Sequence, residues 1–555
     1  MNDVQKNLYQ LLKEFDSICK ENDIEYFIAA GNALGAVRHN QFMPWDDDID
    51  VYLKRDEWNK LRHLLETEDN ILPEGRSFVY KENTEYYCNT LPRYINNNTT
   101  SIYKSQAMIG ASCGQNIELF ILDPMPKDEK EKEEYVDLFK VYTELLTPYY
   151  VVNFNLNLKE WERHYRLYEK YLKRVDEEGK EKVINELEER LQGYPMEECD
   201  SFCMRWGNYI LIFKKEYFES GRMEKFEEDF FPIAKKAESA LRVNFGDDWM
   251  YVPEYHNQIV HGGIKDIDVP LKEYTDIYLE KINRESVFKR YGKNKRNNAS
   301  LFYKRERNRM LVAKANAILK SKEICNDLNS KEEHLSSLLE NKDYETLSKE
   351  FNDYSKLQLS KNIRKNNILI PISKKNLNTL LLSLTEQGRY FEANKYLDIL
   401  KAQETPLDDE FNEIREIISL CRKISIARYD EKDNDQLMKL VEENKDKYPN
   451  LLDIHRSIIY LKESQAKSNE DFKEIDSLCE DVLSSYPFDG ETMAYQARAK
   501  LECGNDEEAM ELYKKSIENT RNGLIWKKVE EESGISRIAI ESEMILDMER
   551  DENEN

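Results

Sequence analysis

Residues 31–51 read GNALGAVRHNQFMPWDDDIDV. A glycine opens the stretch, Arg38 and His39 close a short apolar run, and Asp46, Asp47, Asp48 and Asp50 lead into a hydrophobic alternation. In Asp48-Ile49-Asp50-Val51 the two-residue period of a strand puts both carboxylates on one face and both apolar side chains on the other. Two like charges held side by side repel unless something positive lies between them. A divalent cation is the expected occupant, and hard carboxylate oxygens suit Mg²⁺ or Mn²⁺, which commonly bridge to substrate phosphates. Acidic runs are more often solvated loops. Here Trp45 and the apolar alternation argue instead for a packed strand end.

Just upstream, residues 25–30 (EYFIAA) read as a buried strand, Gly31-Asn32 as a tight turn and Ala33–Val37 as the start of a helix. A glycine turn that opens a helix offers free backbone N–H groups and the positive end of the helix dipole to a phosphate. Arg38 and His39 follow, and a guanidinium grips phosphate oxygens as a bidentate fork. The plainer roles are an ion pair between Arg38 and the acidic run, and a helix cap by His39. Together the pattern predicts metal-assisted phosphoryl or nucleotidyl transfer.

Gly31 through Val51 closely resembles the signature of the LicD family, shared with fukutin-related proteins: Gly-x-Leu-Leu-Gly-x-x-Arg followed by Pro-Trp-Asp-Asp-Asp-Ile-Asp. Such proteins look like nucleotidyltransferases, whose first signature is a Gly-Ser-type turn followed by two aspartates flanking an apolar residue. Asn32 stands where that superfamily usually has a small hydroxyl residue. Downstream, Leu91-Pro92-Arg93-Tyr94 with Asn98-Thr99-Thr100 resembles the family's arginine and threonine stretch, and residues 117–124 (IELFILDP) its Ile-Asp-Ile-Phe-Pro-Leu-Asp. Glu118 thus replaces an aspartate, and Ile121 a proline. A weaker third block comprises residues 213–218, 230–233 and 244–250, so that the likeness spans about Asp3 to Pro253.

The resemblance implies that Asp48 and Asp50 bind the metal and the donor phosphates. Glu118 would complete one ion's shell and receive the acceptor's proton, because two-ion transfer needs a third carboxylate on a neighbouring strand. Gly31, Asn32, Arg38 and Arg93 are the expected nucleotide contacts. Asp46, Asp47, Asp123 and His39 stand as supporting or reserve groups.

The implied fold is an α/β (α+β) nucleotidyltransferase-like domain with a mixed sheet over residues 1–265, carrying a charged helical insertion at 127–210 in which Trp161–Leu191 reads as one helix. A basic helical linker follows at 266–330, then an all-α repeat domain at 331–545 and an acidic tail at 546–555. In the repeat domain Gly388-x-x-x-x-Ala393 and Gly504-x-x-x-x-Ala509 resemble tetratricopeptide-type units, with Tyr448-Pro449 and Tyr486-Pro487 near unit ends.

The net charge of −26 over 555 residues argues against indiscriminate nucleic-acid binding. A basic island at 281–320 nevertheless invites three readings: contact with an anionic acceptor polymer, with an acidic lipid surface, or with the chain's own acidic repeats. No apolar run reaches the ~18 residues of a spanning helix, and the amino terminus lacks the apolar core of a signal peptide. The nine cysteines are odd in number and show no Cys-x-x-Cys pair, which argues against a zinc knuckle and a disulfide framework. A reducing cytoplasm, with peripheral contact at the inner membrane face, is the expected location.

By its resemblance the chain is expected to transfer phosphocholine from CDP-choline to a hydroxyl of a cell-surface glycan or teichoic-acid-type precursor, releasing CMP. One alternative is a cytidylyltransferase that uses CTP and releases pyrophosphate. Another is a non-catalytic scaffold that meets a protein partner through its repeats.

Overall fold

The computed structural model describes residues 1–535 apart from 69, 86, 88–89, 104–112, 148–157, 207–208, 254–257, 259–262, 279–282, 361–362, 364–367 and 403–408. The expected acidic tail, the apolar residues 149–152 and Cys88 lie outside the described residues. Two compact units emerge: Met1–Gly246 with Gln258–Arg307, and Asp247–Asn257 with Asn308–Asn555.

The first unit is built on a mixed sheet. Helix α1 (Asp3–Glu21) is held at its start by a capping box between Asn2 and Gln5, and it turns Leu8, Leu11, Leu12, Phe15 and Ile18 inward. Next come β1 (Phe27–Ile28), α2 (Ala30–His39), β2 (Ile49–Lys54), α3 (Arg55–Thr67), β3 (Arg76–Val79), β4 (Arg93–Ile102) and β5 (Cys113–Met125). Strands β2 and β5 run parallel, with Asp50 opposite Glu118, while β4 lies antiparallel to β5 with Arg93 opposite the same Glu118. Ile49, Val51, Ile117 and Leu119 are fully buried, as the alternation predicts for one face of packed strands. Phe15 of α1 meets the rings of Tyr26, Phe78 and Tyr94. Gly114 permits the close approach of β4, since a Cβ there would lie 1.9 Å from the Asn96 carbonyl oxygen.

Two local expectations are corrected. Residues 25–30 form only the two-residue strand β1, and α2 begins at Ala30, so Gly31 and Asn32 lie in its first turn rather than ahead of it. The charged insertion is helical only in part. It contains α4 (Glu129–Leu146), α5 (Leu158–Glu178) and α6 (Lys180–Gln192), which share a core with Met125 and Cys203. The stretch read as one helix breaks at Gly179, whose φ of 90° leaves the helical region. Beyond Gln192 the chain returns to the sheet as β6 (Ser201–Trp206) and β7 (Tyr209–Lys214), with Asp123 opposite Cys203. The β-branched and aromatic residues of 201–213 outweigh the helical reading once β5 offers a free edge.

The unit is completed by the hairpin β8 (Gly221–Phe226) and β9 (Asp229–Ala234), by α7 (Ala237–Phe245), by β10 (Ile264–Asp266) paired to β4, and by α8 (Leu271–Tyr278). From Arg284 onward the basic island falls in a 47-residue helix, α9 (Arg284–Ser330), within which the division between the units lies.

The second unit is helical apart from its linking segments, from Glu332 to Ser533. Gly388 and Gly504 each adopt left-handed backbone just past a helix end, and Ala393 and Ala509 are fully buried in the helices that follow. Pro449 and Pro487 lie between helices. Arg428 and Glu491 form a buried ion pair, to which the hydroxyl of Tyr429 also donates at 2.8 Å. Residues 247–253 belong to this unit: the Val252 amide donates to the Arg521 carbonyl at 2.7 Å and the Gly523 amide to the Met250 carbonyl at 2.8 Å. Trp249, Met250 and Val252 are each 2% exposed there. Among the described residues no helix is long and apolar enough to cross a membrane.

Candidate active site

The site is assembled by register. Parallel pairing of β2 with β5 makes Asp50 and Glu118 direct neighbours, and antiparallel pairing of β4 with β5 adds Arg93 on the far side of Glu118. The Arg93 guanidinium donates to Glu118 Oε1 through Nε at 2.9 Å and through a second nitrogen. Burial works against the charge on Arg93, and the Glu118 carboxylate more than restores it, holding the guanidinium above the ordinary arginine range.

Asp50 sits at the centre. Burial pushes its carboxyl well above the usual carboxylate range; Asp48, Glu118 and Asp46 push the same way, and Arg93 opposes them. Tyr103 is raised as well, by burial first and then by Glu118 and Asp48.

Asn32 has a different role from the expected nucleotide contact. Its side-chain oxygen accepts the Asp50 amide proton at 2.7 Å, and its Nδ2 donates to the Asp48 carbonyl at 3.0 Å. Both ends of the carboxamide are thus spent on the acidic loop, with no exposed surface left. Gly31 packs against Asp46, whose Oδ2 lies 3.0 Å from where a Cβ would stand. Gln5 of α1 ties the loop from below, donating to the carbonyls of Asp46 and Met43 at 2.9 and 3.2 Å.

Arg38 and His39 lie beneath this loop. Arg38 is 1% exposed, and its guanidinium contacts His39 Nδ1 and Met43 Sδ, each at 3.3 Å. The His39 ring stands edge-on to Trp45. Asp123 is separated from the cluster: five residues beyond Glu118, it faces the other side of β5 and pairs with Arg55 at 2.5 Å. Asp47 turns to Lys265 on β10, 2.6 Å away.

Lys265 was not foreseen, because it lies far along the chain in a three-residue strand. The glycine pair before Ile264-Lys265-Asp266 was the available signal for a short edge strand. Trp206 and Tyr209 were also missed. Their rings stack at 5.4 Å, they are 38% and 55% exposed, and Trp206 stands edge-on to Phe120, two residues from Glu118 on the same face.

Asp48 and Asp50 fit a hard cation chemically, since a buried carboxyl crowded by other carboxylates is relieved by positive charge. Among the described residues, however, no three His, Cys, Asp or Glu side chains are placed to hold one ion as they stand. At Glu118, Oε1 pairs with Arg93.

This constellation lies on a stretch with a recognised pattern: residues 23–106 match the family model described as LicD/FKTN/FKRP, nucleotidyltransferase domain. Over those residues the chain is similar to the LicD family. The chain is also 25% identical over 271 residues to the lipopolysaccharide cholinephosphotransferase LicD of Haemophilus influenzae, a match covering 45% of this chain and 91% of that protein. Uncharacterized proteins of Rickettsia prowazekii and Rickettsia typhi are 39% and 41% identical over 59 residues, which is 11% of this chain and 22% and 19% of theirs. The LicD domain carries Asn32, Asp48, Asp50 and Arg93 inside the family match, whereas Glu118 and Lys265 lie beyond it.

Proposed function

We propose that the chain is a divalent-cation-dependent phosphotransferase of the LicD kind. In this reading it moves a phosphorylated small alcohol, phosphocholine from CDP-choline, onto a hydroxyl of a cell-surface glycan or teichoic-acid-type precursor. The observation that carries the reading is the buried Asp50 carboxyl, crowded by Asp48, Asp46 and Glu118 within and beside a LicD-matched segment.

Asp48 and Asp50 would hold magnesium or manganese, which would neutralise charge on the donor phosphates and the departing CMP. The acceptor oxygen bonds to the phosphorus of phosphocholine as the bond to the CMP oxygen breaks. Glu118 keeps Oε2 outside its pairing with Arg93 and takes the acceptor's proton there. Asn32 fixes the backbone of both aspartates, and Lys265 holds Asp47 away from the donor. The exposed Trp206–Tyr209 pair supports a choline head group, since aromatic faces attract quaternary ammonium. Assembly of the precursor in the cytoplasm, with the basic island at 281–320 at the inner membrane face, completes the reading. The helical unit is read as degenerate tetratricopeptide-like repeats that meet a protein partner.

The test is incubation of purified protein and Mg²⁺ with CDP-choline or CTP plus candidate acceptors, followed by phosphorus NMR of the products. CMP supports the transferase, pyrophosphate would assign a cytidylyltransferase, and no product would favour a scaffold. Asp48→Asn with Asp50→Asn should abolish turnover; full activity in that variant overturns the site assignment.

A further inference from the structure

The sheet has a second polar cleft on the face opposite Glu118. Asp123 points to that face, and Arg205, two residues along β6 from the partner of Asp123, shares it. Arg55, Lys81, Glu82 and Glu188 supply the other charges of its lining, and Tyr142 is among its hydroxyls.

The charges there balance in number but do not all pair within the cleft, because Glu82 turns to Arg62, 3.6 Å away. Arg55 is spent on Asp123, and Lys81 on Glu188, which also accepts from the Tyr142 hydroxyl. Arg205 is only 9% exposed and has no carboxylate within ion-pair distance among the described residues. Its guanidinium lies over the rings of Phe139 and Tyr142, at 5.1 and 5.0 Å, and donates once, to Thr143 Oγ1 at 2.8 Å. Its Nε is buried with no hydrogen-bond partner. Burial accordingly draws the guanidinium below the ordinary arginine range. A buried, unmatched arginine with an unused donor is costly unless an anion completes it.

We infer that this cleft binds one tetrahedral oxyanion, a free phosphate or the terminal phosphoryl group of a small metabolite, on the Arg205 guanidinium. The space of about 50 Å³ has room for only a few water-sized groups, which suits a phosphoryl group better than a whole nucleotide. The two rings beside Arg205 help fix its planar fork for a bidentate contact. The site lies on the other side of the sheet from Asp50 and does not rest on the phosphotransfer reading.

Thermal unfolding of the full chain, titrated with inorganic phosphate, with glycerol 3-phosphate or with sodium chloride at matched ionic strength, tests it. The expected result is a saturable rise in Tm with phosphate beyond that with chloride, and a dissociation constant about tenfold or more weaker in Arg205→Gln. A rise with phosphate alone identifies the free ion; an equal or larger rise with the ester identifies the phosphoryl group. No rise beyond chloride, or an undiminished rise in Arg205→Gln, overturns the inference. If that variant does not fold, crystals of the unaltered chain soaked in tungstate decide: anomalous density within hydrogen-bond reach of Arg205 supports the site, and density only elsewhere refutes it.

Discussion

The Asn32 side-chain oxygen accepts the Asp50 amide proton at 2.7 Å, across 18 residues of sequence. One carboxamide therefore sets where the central carboxylate of the site begins its strand. The superfamily's usual small hydroxyl is too short to bind both Asp50 N–H and the Asp48 carbonyl in this way, so the asparagine couples the helix start to the acidic loop.

Asn32→Ala leaves the buried Asp50 amide and Asp48 carbonyl without their partner, at a cost of about 1–3 kcal/mol for each group left unsatisfied. Asn32→Asp restores the acceptor but adds a carboxylate beside Asp46. Melting curves should show the aspartate variant below the alanine variant in chelator, with the gap narrowing in excess magnesium. A magnesium-independent gap would count against cation binding at the cluster.

Glu118 depends on Arg93 for its charge balance. Arg93→Met should destabilise the LicD domain by about 3 kcal/mol, because it strands a carboxylate next to Asp50. Adding Glu118→Gln should recover much of that loss in urea denaturation. If the double variant is as unstable as the single one, the cost lies in packing rather than in charge.

Lys265 reaches Asp47 from the sheet edge, with only 12% of its side chain exposed. Lys265→Met should lower kcat/KM for the donor by about tenfold, an effect of ~1.4 kcal/mol, while circular dichroism stays unchanged. Steady-state kinetics with unaltered parameters would remove this residue from the site.

In the helical unit, burial raises the Asp453 carboxyl to about 6 from 3.8, with Glu491 adding to the shift and Arg456 opposing it. Its Oδ2 finds no hydrogen bond among the described residues. The folded chain thus binds this proton more tightly than the unfolded chain does. The associated stability is complete below about pH 4 and is lost as the pH rises through 6, amounting to ~3 kcal/mol by pH 8. Asp453→Asn should therefore be more stable than the parent at pH 8 and close to it at pH 4. Parallel pH profiles for the two proteins would refute the assignment.

Much of the site was legible because it is local. The alternation of Asp48-Ile49-Asp50-Val51 leads into β2, which begins at Ile49, and residues 117–124, read as a neighbouring strand, lie in β5, parallel to β2. The remainder depends on contacts that sequence spacing does not encode. Asn32 could be placed near the loop but not assigned its hydrogen bonds, since a carboxamide serves phosphate and backbone equally well. Lys265 arrives from 218 residues beyond Asp47. Asp123 sat close to Glu118 in sequence, yet an odd offset along a strand sends it to the opposite face. Residues 201–210 read as the tail of a helical insertion because pairing partners, rather than local propensity, make them strands.

The seating of residues 247–253 among the helices has a practical corollary for anyone dissecting this protein. A fragment ending at residue 265, the boundary that composition suggests, would carry Trp249, Met250 and Val252 away from the residues that shelter them. Those three side chains would then face water on a short tether, a recipe for precipitation during purification. The complementary piece would lack the strand-like partner of Arg521–Gly523. A piece ending at Gly246 would in turn lose β10 and Lys265 from the sheet, so expression trials should keep the chain whole.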